Sequence, residues 1–147
     1  MKPIHLFLFL CLLSVACVAC NKDTDDAPEL PAAASAFISQ WFPEADIAEA
    51  SSTEALLSNG TVLRFDEAGE WRYIRAGEGA ALPAGILPEK AGAYLAEHYA
   101  RASILLLERD SRELQVGLDT ECKVVFSLAG IYITVLDWVE VDVDIEL

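Results

Sequence analysis

The chain is poor in the side chains that carry most catalysis and metal binding. Its 147 residues include two histidines and four cysteines, and beyond residue 20 only His98 and Cys122 remain. Nucleophilic catalysis needs a base held within hydrogen-bond reach of its nucleophile, and no nucleophile motif accompanies the single histidine. No Cys/His spacing suits zinc, and one thiol excludes a disulfide framework. The sequence therefore predicts no catalytic residues, no metal and no cofactor.

The two remaining residues have ordinary structural interpretations. His98 is predicted to lie in a helix at the edge of the core. Cys122 falls in a predicted strand, where a free cysteine behaves as a small buried hydrophobe. Neither residue is expected to have a chemical role.

Positive charge is also scarce. Ten Lys and Arg residues against 24 Asp and Glu give a net charge of −14, and without Lys2 the chain from Cys20 onward carries −15. This balance disfavours nucleic acid and anionic membrane surfaces as partners. It suits a soluble protein held near a cell envelope.

The N-terminus has the form of a secretory signal. Lys2 precedes the apolar run "IHLFLFLCLLSVACVA", which is shorter than the roughly 20 residues of a membrane-spanning helix. "SVAC" and "CVAC" resemble the lipobox that is cleaved before a lipidated cysteine. Cys20 is favoured over Cys17, because a polar tail begins directly after Cys20. Residues 1–19 are therefore predicted to be a lipoprotein signal peptide, with an ordinary cleaved signal as the alternative.

Residues 20–29 are predicted to be an acidic tether. Its first residues resemble the export signal that sends lipoproteins of Bacteroidota to the cell surface, carried here by Lys22, Asp23, Asp25 and Asp26. A disordered tether would have the same composition. The expected location is the outer membrane, anchored by lipid alone and exposed at the cell surface, with the periplasmic face as the alternative.

Residues 30–147 contain the same pattern twice. "LPAAASAFISQWFPEADI" aligns with "LPEKAGAYLAEHYARASI" at a shift of 57, and "RFDEAGEW" aligns with "VFSLAGIY" at a shift of 61. Two copies of about 55 residues are too few for a solenoid. They indicate one domain built by duplication, with halves 30–76 and 87–136.

Each half reads as a helix followed by strands. A proline suits the first turn of each helix, and apolar residues recur at helical spacing. Ala34, Phe37, Ile38 and Trp41 form one face, matched by Ala91, Tyr94, Leu95 and His98. Asn59-Gly60 predicts a two-residue hairpin, and Asp119-Thr120 occupies a similar place. The pattern α-β-β-(β), read twice, predicts an α+β fold with two helices on one face of an antiparallel sheet.

The repeated phrase F-x-x-A-G-x-aromatic is explained by turn chemistry. Asp66 or Ser127 suits the first position of a type I turn, and the glycine suits a final position with positive φ. The resulting three-residue hairpins pair Phe65 with Trp71 and Phe126 with Tyr132. The phrase is predicted to be scaffold.

Together these motifs resemble a known family. Leu-Pro, an aromatic helix ending in "FP", an "NG" hairpin and "FDEAGEW", followed by a degenerate second copy, look like the PepSY-like, beta-lactamase-inhibitor-like domains of Bacteroidota envelope proteins. The resemblance covers about residues 30–136 and implies helices packed on an antiparallel sheet. It implies no catalytic residues, and it suggests a protein that grips an enzyme with its open sheet face.

A candidate binding face follows from strand alternation. If Leu63, Phe65, Trp71 and Tyr73 face the helices, the opposite face is cationic and aliphatic. Its predicted members are Arg64, Arg72, Ile74, Lys123, Val125, Ile131 and Ile133. The segment 138–147, "WVEVDVDIEL", alternates as a half-buried acidic strand. Two alternatives concern the second half of the face: this strand covers its apolar residues, or the alternation there is shifted by one residue.

The favoured hypothesis is a non-enzymatic, lipid-anchored module that binds an unidentified extracytoplasmic protein, as an inhibitor would. One alternative is a small metal-dependent or hydrolytic enzyme. Another is a purely structural envelope lipoprotein.

Overall fold

The computed structural model describes residues 29–138. The signal peptide, most of the tether and the predicted C-terminal strand, apart from Trp138, lie outside these residues. Each of the two α-helices in the described range is followed by four strands, where the sequence pattern indicated two or three. The elements are α1 (Ala32–Trp41), β1 (Ile47–Ala50), β2 (Glu54–Leu57), β3 (Val62–Phe65), β4 (Trp71–Arg75), a 3₁₀ turn (Ala84–Ile86), α2 (Glu89–His98), β5 (Ile104–Arg109), β6 (Glu113–Leu118), β7 (Cys122–Ser127) and β8 (Tyr132–Asp137).

The strands form one antiparallel sheet in chain order, β1 to β8. Both helices pack on the same face of it, because Ala34 and Ile38 of α1 and Ala91 and Leu95 of α2 share one hydrophobic core. A row of mutually paired strand residues lines that core: Leu63, Ile74, Leu107, Val116 and Val124. The predicted α+β class is confirmed. The surface opposite the helices is called the open face.

The two helices begin and end alike. Each has ten residues and follows an extended proline, with φ −52° at Pro31 and −53° at Pro88. The aromatic residue after each helix, Phe42 or Tyr99, donates its backbone N–H to the carbonyl oxygen four residues earlier at 2.8 Å. Prolines suit this position because the first N–H groups of a helix have no intrahelical acceptor.

The repeated phrase forms the predicted hairpins. The N–H of Gly69 donates to the Asp66 carbonyl oxygen at 2.9 Å, and that of Gly130 donates to Ser127 at 2.8 Å. Both glycines have φ +82°, in the left-handed region. The predicted cross-strand pairs are also present, Phe65 with Trp71 and Phe126 with Tyr132.

The same turn recurs at the two inner hairpins. The Asn59-Gly60 hairpin closes through Leu57 N–H to Thr61 oxygen, so its loop has three residues and the predicted two-residue loop is wrong. Gly60 has φ +83°. The corresponding turn between β6 and β7 has Glu121 at φ +60°, which is the one non-glycine residue with positive φ in the described part of the chain.

Gly69 and Gly130 also pack against helices. A Cβ at Gly69 would lie 3.0 Å from the backbone nitrogen of Ala34, and one at Gly130 would lie 2.9 Å from that of Ala91. Each hairpin therefore rests on the first turn of the helix that begins its half. The glycines supply both the turn geometry and the space for this contact.

Candidate interaction surface

The strand register defines two rows of side chains across the open face. The central row runs from β2 to β8, and the second row lies beside it. Neither row contributes to the helix-side core. The central row is Glu54, Arg64, Tyr73, Glu108, Gln115, Val125 and Thr134, and the second is Leu56, Val62, Arg75, Leu106, Gly117, Lys123 and Leu136.

The predicted cations of this face are paired with acids. Arg64 Nε lies 2.8 Å from Glu54 Oε2, and its guanidinium carbon lies 5.0 Å from the centroid of the Tyr73 ring. Lys123 Nζ lies 3.7 Å from Glu108 Oε2. The Arg64–Glu54 pair is exposed on both sides, and exposed ion pairs contribute little to stability. A partner can therefore exchange them for its own charges at low cost.

Arg72 does not belong to either row. It is the extra residue of a β-bulge, because Arg64 pairs with Tyr73 and Phe65 pairs with Trp71. Its guanidinium bonds the Asp66 carboxylate at 2.7 Å, and the N–H of Glu70 donates to the same carboxylate at 2.9 Å. The Glu70 N–H, followed by Arg72, lowers the pKa of Asp66.

The prediction that Ile74 lies on the open face is wrong. Ile74 is 0% exposed and pairs with Leu63 and Leu107 in the helix-side core. The bulge at Arg72 shifts the alternation by one residue, so Tyr73 occupies the open face instead. The expectation that Tyr73 packs under the helices is corrected for the same reason.

Val125 lies on the predicted face, but a partner cannot reach it. It pairs with Gln115 and Thr134 in the central row and is only 2% exposed. Beside it, the ring of Trp138 lies over Gly117, where an added Cβ would come within 3.0 Å of the ring. Trp138 therefore covers part of the open face.

The remaining predicted residues, Ile131 and Ile133, are exposed at one edge of the sheet. They are 57% and 52% exposed. Six of the seven large exposed hydrophobic residues in the described range lie here, the other being Ile47. This group is called the β8 patch: Leu128, Ile131, Tyr132, Ile133, Val135 and Leu136.

An aromatic stack joins the β8 patch to α2. The Tyr94 ring stacks on Tyr132 with centroids 4.6 Å apart and lies 4.2 Å from the His98 ring. Burial first, and then the neighbouring Tyr132, raises the pKa of Tyr94. The sequence pattern predicts Tyr94 and His98 on one helix face and Tyr132 in a hairpin, and it does not predict the stack between them. The i, i+4 spacing of Tyr94 and His98 indicates that these two rings are neighbours on the helix surface, which is the part of the stack that the sequence could reveal.

His98 and Cys122 have surroundings that suit structural roles. His98 is half exposed, and its Nε2 lies 3.9 Å from Glu97 Oε2. Cys122 is partly buried against the core, with its Sγ 3.3 Å from Thr120 Oγ1. Across residues 29–138, no three His, Cys, Asp or Glu side chains converge in a way that could hold a metal ion.

A cleft of about 520 Å³ lies beside Trp71, lined by the ends of β4 and β5, by the segment that leads into α2 and by Leu128. Arg109 forms part of its lining and lies 4.4 Å above the centroid of the Trp71 ring. Arg109 Nε donates to the Trp71 carbonyl oxygen at 2.8 Å, and Arg109 Nη2 donates to Glu70 Oε2 at 2.8 Å. These bonds tie β4 to β5, so the arginine is already engaged within the fold.

The fold defines an α+β domain with one open sheet face. A family model described as "Putative beta-lactamase-inhibitor-like, PepSY-like" matches residues 51–134. This match covers more than half of the chain, and the chain belongs to that family.

Solved structures of Bacteroides proteins have a similar fold. One is "a putative calcium-regulated periplasmic protein" from Bacteroides thetaiotaomicron, with 26% identity and a TM-score of 0.66 over 74% of this chain and 91% of that one. Another is "a putative periplasmic protein" from Bacteroides vulgatus, with 27% identity and a TM-score of 0.63 over 73% and 90% of the two chains. No curated protein matches the chain.

Proposed function

We propose that this protein is a non-enzymatic, lipid-anchored envelope module that binds an extracytoplasmic protein through its open face. The observation that carries the proposal is the sheet surface opposite the helices, where Arg64 and Tyr73 are accessible beside paired charges. Arginine and tyrosine are enriched among the residues that dominate protein interfaces. The family description adds an inhibitor-like mode, in which the captured protein would be an enzyme.

The location is supported by relatives and by the N-terminal sequence. The two Bacteroides proteins named above are described as periplasmic. The lipobox-like sequence around Cys20 and the residues Lys22, Asp23, Asp25 and Asp26 support a lipid anchor and export to the outer surface of the outer membrane. Neither α-helix in residues 29–138 has the length and apolarity needed to span a membrane.

The proposal includes an origin by duplication. Each half has a ten-residue helix, four strands and a final hairpin whose glycine, Gly69 or Gly130, rests on that helix. The bulge residues Arg72 and Ile133 also occupy equivalent places. Divergence of the two copies would explain why the bulge residue is charged in the first half (Arg72) and apolar in the second (Ile133).

Affinity capture tests the binding face. The chain from residue 20 to 147, with Cys20→Ser to prevent lipidation, is used as bait in envelope extract, and the retained proteins are identified by mass spectrometry. The double variant Arg64→Ala/Tyr73→Ala is expected to lose a partner that binds saturably. Arg101→Ala, at an exposed arginine after α2, is the matched control and is expected to retain it.

The outcomes separate the alternatives. Equal capture by the open-face variant and the control would exclude this face. A purely structural lipoprotein would show no saturable partner at all. If the partner is an enzyme, its activity with and without the captured protein decides whether the binding is inhibitory.

A further inference from the structure

The two edges of the sheet differ in how they are protected from other strands. β1 has four residues, includes Glu49 and contains a bulge between Ile47 and Glu49. Short length, charge and bulges are devices that keep an edge strand from pairing with another chain. β8 has six residues, all exposed, and its one charged residue is Asp137 at the C-terminal end. Its bulge lies near the other end, at Ile133.

The backbone of β8 can accept a further strand. The Trp138 N–H donates to the Glu121 carbonyl oxygen at 2.8 Å, so this residue bonds toward β7. Bonding direction alternates along an antiparallel strand, and Val135 and Asp137 therefore direct their N–H and C=O groups away from the sheet. These groups lie between exposed side chains of the β8 patch on both faces.

We propose that two copies of this chain pair through β8, in antiparallel orientation, about a two-fold axis at Val135. The pairing joins two eight-stranded sheets into one sheet of sixteen strands. Val135 then lies opposite Val135 of the partner subunit, and Thr134 opposite the partner's Leu136. A two-fold interface places the same patch of both copies in contact, which is the commonest symmetry of soluble homo-oligomers.

Charge favours this contact over others between two copies. The chain carries a net charge of −14, so most surfaces of one copy repel those of another. The β8 edge is the apolar exception. The two-fold register places Asp137 opposite Ile133 of the partner subunit and thus brings no two acids together.

The area at this edge is enough for a weak dimer. The six side chains of the β8 patch are between 41% and 57% exposed. An aromatic side chain such as Tyr132 buries on the order of 150–250 Å² when fully covered and the five aliphatic ones bury less, so at most about 500 Å² per copy is available. Two copies bury at most roughly 1,000 Å², which is the lower end of specific interfaces. The dimer is therefore expected to depend on concentration.

The continuation of the same chain is the competing occupant of this edge. A ninth strand after β8 would require a tight reversal, and residues 137–140 of the sequence (Asp-Trp-Val-Glu) offer one turn-favouring residue, Asp137, but no glycine, asparagine or proline. Trp138 instead continues the pairing with β7. A second copy meets the edge without any reversal.

Sedimentation and light scattering of the chain 20–147 with Cys20→Ser test the proposal. Between about 1 and 200 µM the mass is expected to rise from monomer to dimer. Val135→Lys places two like charges at the axis and is expected to raise the dimer Kd about tenfold or more. Ala48→Lys, on the exposed β1 edge, is the matched control and leaves the Kd unchanged. Circular dichroism verifies folding of each variant.

A pair of variants with opposite charges at residue 135 distinguishes a specific contact at the axis from general damage to either variant. Val135→Lys mixed with Val135→Glu is expected to restore a dimer that neither forms alone. A monomer at every concentration, or mixing without restoration, overturns the proposal. A dimer that appears only when residues 139–147 are removed also overturns it, because that segment then covers the edge.

This pairing goes beyond the proposed function and fails separately from it. Val135→Lys is expected to retain capture of the envelope partner, and Arg64→Ala/Tyr73→Ala is expected to retain dimerisation. Loss of both activities in one folded variant would show that the two surfaces are one site.

Discussion

Two glycines with positive φ, one in a hairpin and one in the connection after β4, allow the cost of backbone conformation to be separated from the cost of close packing. Gly130 and Gly79 both have positive φ, +82° and +73°. A Cβ at Gly130 would lie 2.9 Å from the backbone nitrogen of Ala91 and 3.0 Å from Pro88 Cβ, whereas one at Gly79 would meet nothing within 4 Å. Replacement by alanine therefore probes one cost at Gly79 and both costs at Gly130.

The expected magnitudes follow from these contacts. A non-glycine residue in the left-handed region costs about 1–2 kcal/mol, which is the whole expected loss in Gly79→Ala. Overpacking against a helix backbone adds about 1–3 kcal/mol, so Gly130→Ala is expected to lose roughly 2–5 kcal/mol. Gly69→Ala should resemble Gly130→Ala, because its Cβ would lie 3.0 Å from Ala34 N.

Urea unfolding followed by tryptophan fluorescence measures all three variants. The free energy of unfolding is extrapolated linearly to water, and equal slopes verify that the same structure unfolds. If Gly130→Ala lost no more stability than Gly79→Ala, the hairpin would not rest on the helix as described. Concordant losses in Gly69→Ala and Gly130→Ala would support equivalent roles in the two halves.

Four further predictions concern single residues. Glu121→Gly should raise the free energy of unfolding in urea by about 1 kcal/mol, because Glu121 has φ +60° and glycine adopts this conformation without strain. A lower free energy of unfolding would mean that the contacts of the Glu121 side chain stabilise the turn by more than the strain costs. Ile74→Ala should lower the free energy of unfolding by about 2–5 kcal/mol, because this side chain is 0% exposed. A loss near zero would contradict its place in the core and favour a position on the open face. The pKa of Asp66 is lowered in the folded state, so its stabilisation is present above about pH 4 and disappears as the pH falls through the lowered pKa. Asp66→Asn should therefore flatten the acid branch of the unfolding free energy, and Glu67→Gln in the same exposed turn should leave it unchanged. Cys20→Ala should abolish labelling by a fatty-acid analogue in cells, whereas labelling lost only in Cys17→Ala would move the anchor to that residue.

Local rules predicted the helices and turns well. Both helices begin after Pro31 and Pro88, and the F-x-x-A-G hairpins have the expected aromatic pairs. These features depend on residues close together in the chain, where proline geometry and positive φ act directly. The α+β class followed from the same elements.

The candidate face was predicted less accurately, because it depends on a bulge and on contacts between residues distant in sequence. Simple alternation along β4 predicts Tyr73 on the helix side and Ile74 on the open face. The bulge at Arg72 shifts the alternation by one residue, so the two side chains lie on the opposite faces from those predicted. A bulge depends on the partner strand and leaves little mark in the local pattern. The burial of Val125 and the stack of Tyr94 on Tyr132 depend on neighbours distant in sequence.

The sequence alone determined the helix starts, the two F-x-x-A-G turns and the acidic, histidine-poor character of the chain, because these are properties of composition or of short segments. Only the tertiary structure decided which strand residues face the helices, that Trp138 covers part of the open face, and that β8, with all six residues exposed, is the last strand of the sheet within residues 29–138. The physical reason is that register and edge position arise from pairing between strands. A strand on its own has two equivalent faces and two equivalent edges.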